Sequence, residues 1–201
     1  MEAFVESQES QPPGNSRRRL GARRVQALVL EILTTALIGI STVLSWWDLS
    51  ATSVGSTSGF YLTSTCNGPS CGSYESNQAL AAAFAVTFAL VIGSLALSVL
   101  ALSFLLMSTR RPGLTAGTVF TGVIGSVLLL AAPVYLYFAL PAAIGPSVSG
   151  FFGSYRFSPS SVFSWGGGPG WFMAFVALSF YVASTLVVCR GFSPHRSPGH
   201  P

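Results

Sequence analysis

The chain has no lysine, and its two histidines, His195 and His200, stand close to the C-terminal end. Acid/base and imine chemistry are narrowed accordingly, because those side chains are the usual carriers of both. Charge of either sign is scarce: Asp, Glu, Lys and Arg together make up 8% of the 201 residues. A soluble domain carries roughly 25%, so a surface wetted on all sides is excluded. The sequence also lacks a nucleotide-binding glycine loop, a residue set for a catalytic triad and a cluster of metal ligands. It therefore assigns no catalytic residue, no metal and no cofactor. Neither Asn67 nor Asn77 begins a glycosylation sequon. Cysteine is limited to Cys66, Cys71 and Cys189, which fits one bridge between the near pair and one separate thiol.

What is abundant is apolar surface. Half of the residues are hydrophobic, and the mean hydropathy is +0.60. Four apolar runs, at residues 25–46, 79–107, 114–140 and 171–189, each approach the ~20 residues that cross a bilayer. They predict an all-α membrane protein, a four-helix transmembrane bundle over residues 25–189 with the lipid bilayer as its first partner. The second run exceeds the hydrocarbon core by about 10 Å and should tilt or project. Arg110-Arg111-Pro112-Gly113 reads as a tight turn between the second and third runs. Pro133 predicts a kink in the third, and Pro169 fits the first turn of the fourth.

Every basic residue outside the histidines is arginine, and the formal net charge is +4. A pI near 9.3 could suit nucleic acid, but most arginines flank apolar runs, where they set orientation; no nucleic-acid partner is expected. The polar tail at residues 1–24, the Arg110-Arg111 turn and the tail at residues 190–201 are basic. The long loops at residues 47–78 and 141–170 hold only Asp48, Glu75 and Arg156. The positive-inside rule then predicts a multi-pass protein of the cell membrane with both termini cytoplasmic and both loops outside. Cys66 and Cys71 would face an oxidising side and Cys189 a reducing one. Both tails are expected to be disordered. Ser16-Arg17-Arg18 is loosely similar to a twin-arginine export signal, but the run that follows is long enough to span and lacks a small-x-small cleavage site, so it reads as an anchor.

The outer loops carry their own structure in this reading. Leu49 to Val54 and Phe60 to Thr65, separated by Gly55-Ser56-Thr57-Ser58-Gly59, read as a hairpin. Ser154 to Phe157 and Ser161 to Trp165 read as further strands, and both loops are expected to join in a small extracytoplasmic β-sheet. Cys66 and Cys71 enclose the turn-forming Asn67-Gly68-Pro69-Ser70 and would pin a loop tip with a disulfide. Arg156 is expected to pair with Asp48 or Glu75 across the loops. Trp46, Trp47, Trp165 and Trp171 stand where an interfacial aromatic belt would place them.

Two features concern the spans themselves. Small residues recur at Gly117, Thr121 and Gly125, at Thr118, Gly122 and Ser126, and at Ala85, Ala89 and Gly93, where helices could approach closely. Glu31 is the sole acidic residue within a run. It lies about 10 Å of helix rise beyond Arg24. It reads either as an interfacial carboxylate paired with Arg24, Arg110, Arg111 or Arg190, or as an intramembrane ionisable site. A first-helix glutamate among four helices resembles the small multidrug resistance transporters, a likeness that implies proton- or cation-coupled transport.

The four spans, inner termini and a first outer loop carrying Trp47, Cys66 and Cys71 resemble the claudin group of tetraspan proteins in topology. The Gly-Leu-Trp of that group is missing, and the chain ends Gly199-His200-Pro201. Four-helix thiol oxidoreductases of the disulfide-bond and vitamin K reductase families are similar in plan. They use a Cys-x-x-Cys pair, a second shuttle pair and a quinone, which Cys66 and Cys71 at spacing four do not reproduce. The segment Trp165 to Trp171, with its repeated glycines, is similar to the entry of the last span in uncharacterised four-span membrane proteins of archaeal type. The expectation is a non-enzymatic structural, interaction or accessory protein, working with a protein partner or a second copy. A transporter using Glu31 is the alternative.

Overall fold

Each apolar run forms one helix. The computed structural model describes residues 14–52, 55–74, 77–108, 111–145, 148–159 and 161–191. Its helices are α1 (Gly14–Val43), α2 (Gln78–Met107), α3 (Thr115–Ile144) and α4 (Pro169–Gly191), and all four are long and apolar enough to cross a membrane. Pro169 opens α4, where a missing amide hydrogen leaves no helical bond unmade. Pro133 and Pro141 both lie inside α3. A single 3₁₀ turn, Pro112–Leu114, joins α2 to α3.

Two boundaries differ from expectation. The helix α1 begins before the apolar run, so residues 14–24 are helical and not a disordered tail. Arginine, leucine and alanine are strong helix formers, and the run extends the helix through them. The rest of both expected tails, residues 1–13 and 192–201, lies outside the described residues. The helix α3 continues past Leu140 to Ile144 and stops at Gly145, whose φ of 103° suits glycine.

The buried positions explain how the helices assemble. In α1 they are Ala27, Glu31, Thr34, Ile38 and Ser41. In α2 they include Leu80, Phe84, Thr87, Val91, Ser94, Ser98, Ala101 and Leu105, and in α4 Gly170, Ala174, Ala177, Tyr181, Ser184 and Val188. Steps of four and three alternate along each, the ~3.5-residue period that keeps one seam facing inward around a left-handed bundle. Contacts link α1 to α2, α2 to α3, α3 to α4 and α4 back to α1.

The seam is rich in Ser, Thr, Ala and Gly, as packing without a hydrophobic drive requires. A Cβ built on Gly122 would lie 2.5 Å from Thr185 Oγ1, and one on Gly125 would overlap the Tyr181 ring. Gly122 and Gly125 of the α3 stripe therefore face α4, while Gly117 meets Phe104 of α2. The α2 stripe does not behave as expected: only Gly93 meets a neighbour, Leu128, while Ala85 and Ala89 are exposed. Two successive steps of four carry those alanines off the seam.

The segments between helices build one antiparallel sheet of strands β1 (Trp47–Ala51), β2 (Ser56–Phe60), β3 (Thr65–Asn67), β4 (Ser70–Gly72), β5 (Gly153–Ser158) and β6 (Ser161–Gly167), in spatial order β4-β3-β2-β1-β6-β5. The pairing of β1 with β6 joins the two loops, as the strand pattern predicts. The first hairpin is shifted from expectation. Its second strand is the Ser/Thr/Gly segment read as a linker, because Gly55 alone takes the left-handed turn conformation (φ 60°).

Alternation puts Trp47, Leu49, Phe60 and Trp165 on the face toward the bundle, where they join its hydrophobic core. Tyr74 and Phe84 stack with ring centroids 4.9 Å apart and Phe60 lies beside them. This stack fastens β2 to the start of α2. Asn77 caps α2 by accepting from the Leu80 amide at 3.0 Å.

Trp46 and Trp47 overturn the belt reading. Both are buried, at 0% and 2% exposure. The Trp46 indole donates to Ser41 O at 2.7 Å and that of Trp47 to Phe151 O at 3.0 Å. They fill the junction where the sheet meets the helices, a space that only large side chains occupy once the loops fold back. Gly168 and Gly170 exist for the same junction: a Cβ on either would strike Ser45 O or the Trp46 ring. Trp165 and Trp171 are partly buried and donate to Gly150 O and Pro133 O.

Candidate functional site

Glu31 occupies an inward position on α1, with 1% of its surface exposed. Ser98 of α2 donates to its Oε1 at 3.2 Å, and the Ser184 hydroxyl of α4 lies beside the carboxylate. Thr35 Oγ1 lies 2.6 Å from Ser98 Oγ and donates to Glu31 O. Ser184 Oγ donates to Ala27 O, so the same hydroxyl ties α4 to α1. The carboxylate thus sits at a three-helix junction among hydroxyls. The reason is rotational. Position 31 falls on the 27–31–34–38–41 seam, which faces the other helices. A cavity of about 10 Å³ near the arginine end of the bundle is lined by Arg23, Arg24, Ala27, Leu105, Val187, Val188 and Gly191. It stops one turn short of Glu31.

Ser98, Ser184 and Thr35 were not singled out in the sequence. Their signal is a hydroxyl residue in phase with the buried seam, which is visible once the phase of each helix is known and not before.

At the other end, Cys66 and Cys71 face each other across β3 and β4 and are bridged. The bridge pins the short terminal hairpin of the sheet. Tyr74 latches the loop beneath: its hydroxyl donates to Tyr61 O and to Ser64 O. Burial pushes the Tyr74 phenol above its ordinary range.

The expected outer ion pair is not assembled from its described members. Asp48 stands opposite Gly166 on β6, whereas Arg156 of β5 stands opposite Val162. Four residues along a strand and two strands across separate them by about 13 Å and 10 Å. The hairpin register forbids the pair. Glu75, the other candidate anion, lies outside the described residues. Cys189 is exposed near the end of α4. Arg23 of α1 donates to Arg190 O at 3.3 Å, a cation at a helix C-terminus.

No group of three or more His, Cys, Asp or Glu side chains able to hold a metal occurs among the described residues. No protein-family model matches the chain, and no curated protein matches it.

Proposed function

We propose that the protein is a multi-pass component of the cell membrane, with cytoplasmic termini, whose work is non-enzymatic interaction. It presents a disulfide-pinned sheet outside the cell to a protein partner or a second copy, in a structural or accessory role. One observation carries this reading: both long loops are spent on a single six-stranded sheet fused to the end of the bundle. Such a sheet is a rigid display surface, and the bundle beneath it is packed with small side chains. Orientation is supported by the described arginines. Arg23 and Arg24 in the N-terminal half of α1, Arg111 in the α2–α3 turn and Arg190 at the end of α4 stand opposite the sheet.

The test is purification of the full chain in mild detergent with native lipids, followed by identification of what travels with it. A stoichiometric protein or a second copy, lost when exposed sheet residues such as Tyr155 are changed, is the expected result. A chain that purifies alone and moves a solute in vesicles would overturn it.

That second outcome belongs to the competing reading, proton- or cation-coupled transport. It rests on the burial of Glu31 among hydroxyls of α1, α2 and α4, since ionisable groups within spans often serve transport. Proteoliposomes decide between the two. Transport requires cation flux driven by a pH gradient that Glu31→Gln abolishes, whereas the interaction reading expects no such flux from either chain.

A further inference from the structure

The outward face of the sheet carries a feature that neither reading uses. Asp48 lies on the central strand β1, and the residues opposite it on both neighbouring strands are glycines, Gly59 on β2 and Gly166 on β6. Neither of these opposite residues supplies a side chain against the carboxylate. Two residues along, Ser50 and Ser164 face each other with hydroxyls 2.6 Å apart. Asp48, Ser50, Ser164, Trp165, Gly166 and Gly167 line a cleft of about 210 Å³.

Aromatic rings stand over both glycines. A Cβ built on Gly59 would meet Tyr61 Cε2 at 3.2 Å and Asp48 Oδ1 at 3.5 Å. One built on Gly166 would meet Phe152 Cδ1 at 2.6 Å. A Cβ direction defines the face, so Tyr61, Phe152 and the carboxylate share the outward side. The strands under the two rings are about 10 Å apart, with β1 midway. A group seated above Asp48 therefore lies between the two rings, whose faces attract a cation at close range.

We propose that this pit binds a small organic ammonium group, with Asp48 as counter-charge and Tyr61 and Phe152 as aromatic walls. The acceptor balance selects the charge. The cleft offers one carboxylate and two hydroxyls, and the outward cation Arg156 is held away by register, so an anionic ligand meets a like charge and no cation. A single carboxylate is too few ligands for a tightly held divalent metal. The pit also lies at the root of the sheet. Asp48 stands five residues after the end of α1, Gly166 three before the start of α4, and Phe152 packs on Trp171 with centroids 5.7 Å apart. The ammonium can thus come from a phospholipid headgroup or from a soluble amine.

The test titrates choline and ethanolamine into the full chain in phosphatidylglycerol nanodiscs, by calorimetry and ligand-observed NMR. Saturable binding of either amine is expected. The uncharged carbon isostere of choline, 3,3-dimethylbutanol, should bind about tenfold or more weakly, and Asp48→Asn should lose about tenfold or more in affinity. Phe152→Leu and Tyr61→Leu should each lose several-fold, while Asp48→Glu, which keeps the charge, should retain most of the binding. Phe120→Leu, at an exposed position on α3, should leave it unchanged and serves as a control for general damage. Absence of saturable binding to the unmodified chain, equal binding of the isostere, or indifference to Asp48→Asn would each overturn the proposal. Repeating the titration in phosphatidylethanolamine discs separates the sources: a headgroup occupant competes and weakens the apparent affinity, and a soluble ligand is unaffected.

Discussion

Gly125 and Gly39 lie within long apolar helices, and one methyl group separates their roles. At Gly125 the added carbon has nowhere to go but the Tyr181 ring, while at Gly39 nothing stands within 4 Å. Gly125→Ala should therefore lower thermal stability in detergent by about 1–3 kcal/mol through overpacking. Gly39→Ala should be neutral or stabilising by up to about 1 kcal/mol through helix propensity. Equal effects would mean that α3 and α4 do not meet at this point. The α3 stripe was legible because small residues recur at helical spacing. The direction it faces was not, since that depends on which neighbour arrives.

Tyr74 allows a pH test at the same scale. The phenol of an unfolded chain titrates near pH 10, and burial pushes the folded value higher, so the folded state holds the proton longer. The stability that Tyr74 contributes is whole below about pH 10 and falls as pH rises past it. Tyr74→Phe removes the bonds to Tyr61 O and Ser64 O and should cost about 1–2 kcal/mol at neutral pH. It should also flatten the alkaline decline, measured by denaturation against pH for both chains. Nothing in the sequence marked Tyr74, because its partners are backbone carbonyls brought near only by the loop's return.

At the scale of elements, the sheet divides unevenly between what pattern reveals and what register decides. The strands β5 and β6 were legible from their β-branched and aromatic residues. The strand β2 was hidden in a Ser/Thr/Gly run, and β3 and β4 in the residues around the cysteine turn. Low intrinsic preference yields there to pairing with β1 and to the Cys66–Cys71 bridge. Since β1 lies between β2 and β6, a break in it should release both loops together. Leu49→Pro removes a backbone donor from this central strand at a cost on the order of 3 kcal/mol. Hydrogen exchange should rise across both β1–β4 and β5–β6 while the helices keep their protection. A rise confined to the first loop would argue against the joint sheet.

For the whole molecule, the two ends are chemically distinct: among the described residues, Arg23, Arg24, Arg111 and Arg190 stand at one and the sheet, with Arg156, at the other. In the proposed orientation, a membrane-impermeant maleimide added to intact cells should label Tyr155→Cys in a Cys189→Ser background, because Tyr155 is exposed on β5. The unsubstituted Cys189 should react only after permeabilisation. The reverse pattern would invert the topology.

The sequence by itself determined the number of helices, their order and the cysteine pairing, because those follow from run length, charge scarcity and short spacing. It also foretold that the two loops would share a sheet, since strand-forming residues recur in both. Only the tertiary structure decided that Trp46 and Trp47 are core, that Glu31 turns inward to Ser98 and Ser184, and that Asp48 lies apart from Arg156 between two glycines. The physical reason is common to all three. Helix phase and strand register are set by the partner surface, and a shift of one residue turns a helical side chain by about 100° and moves a strand side chain to the opposite face.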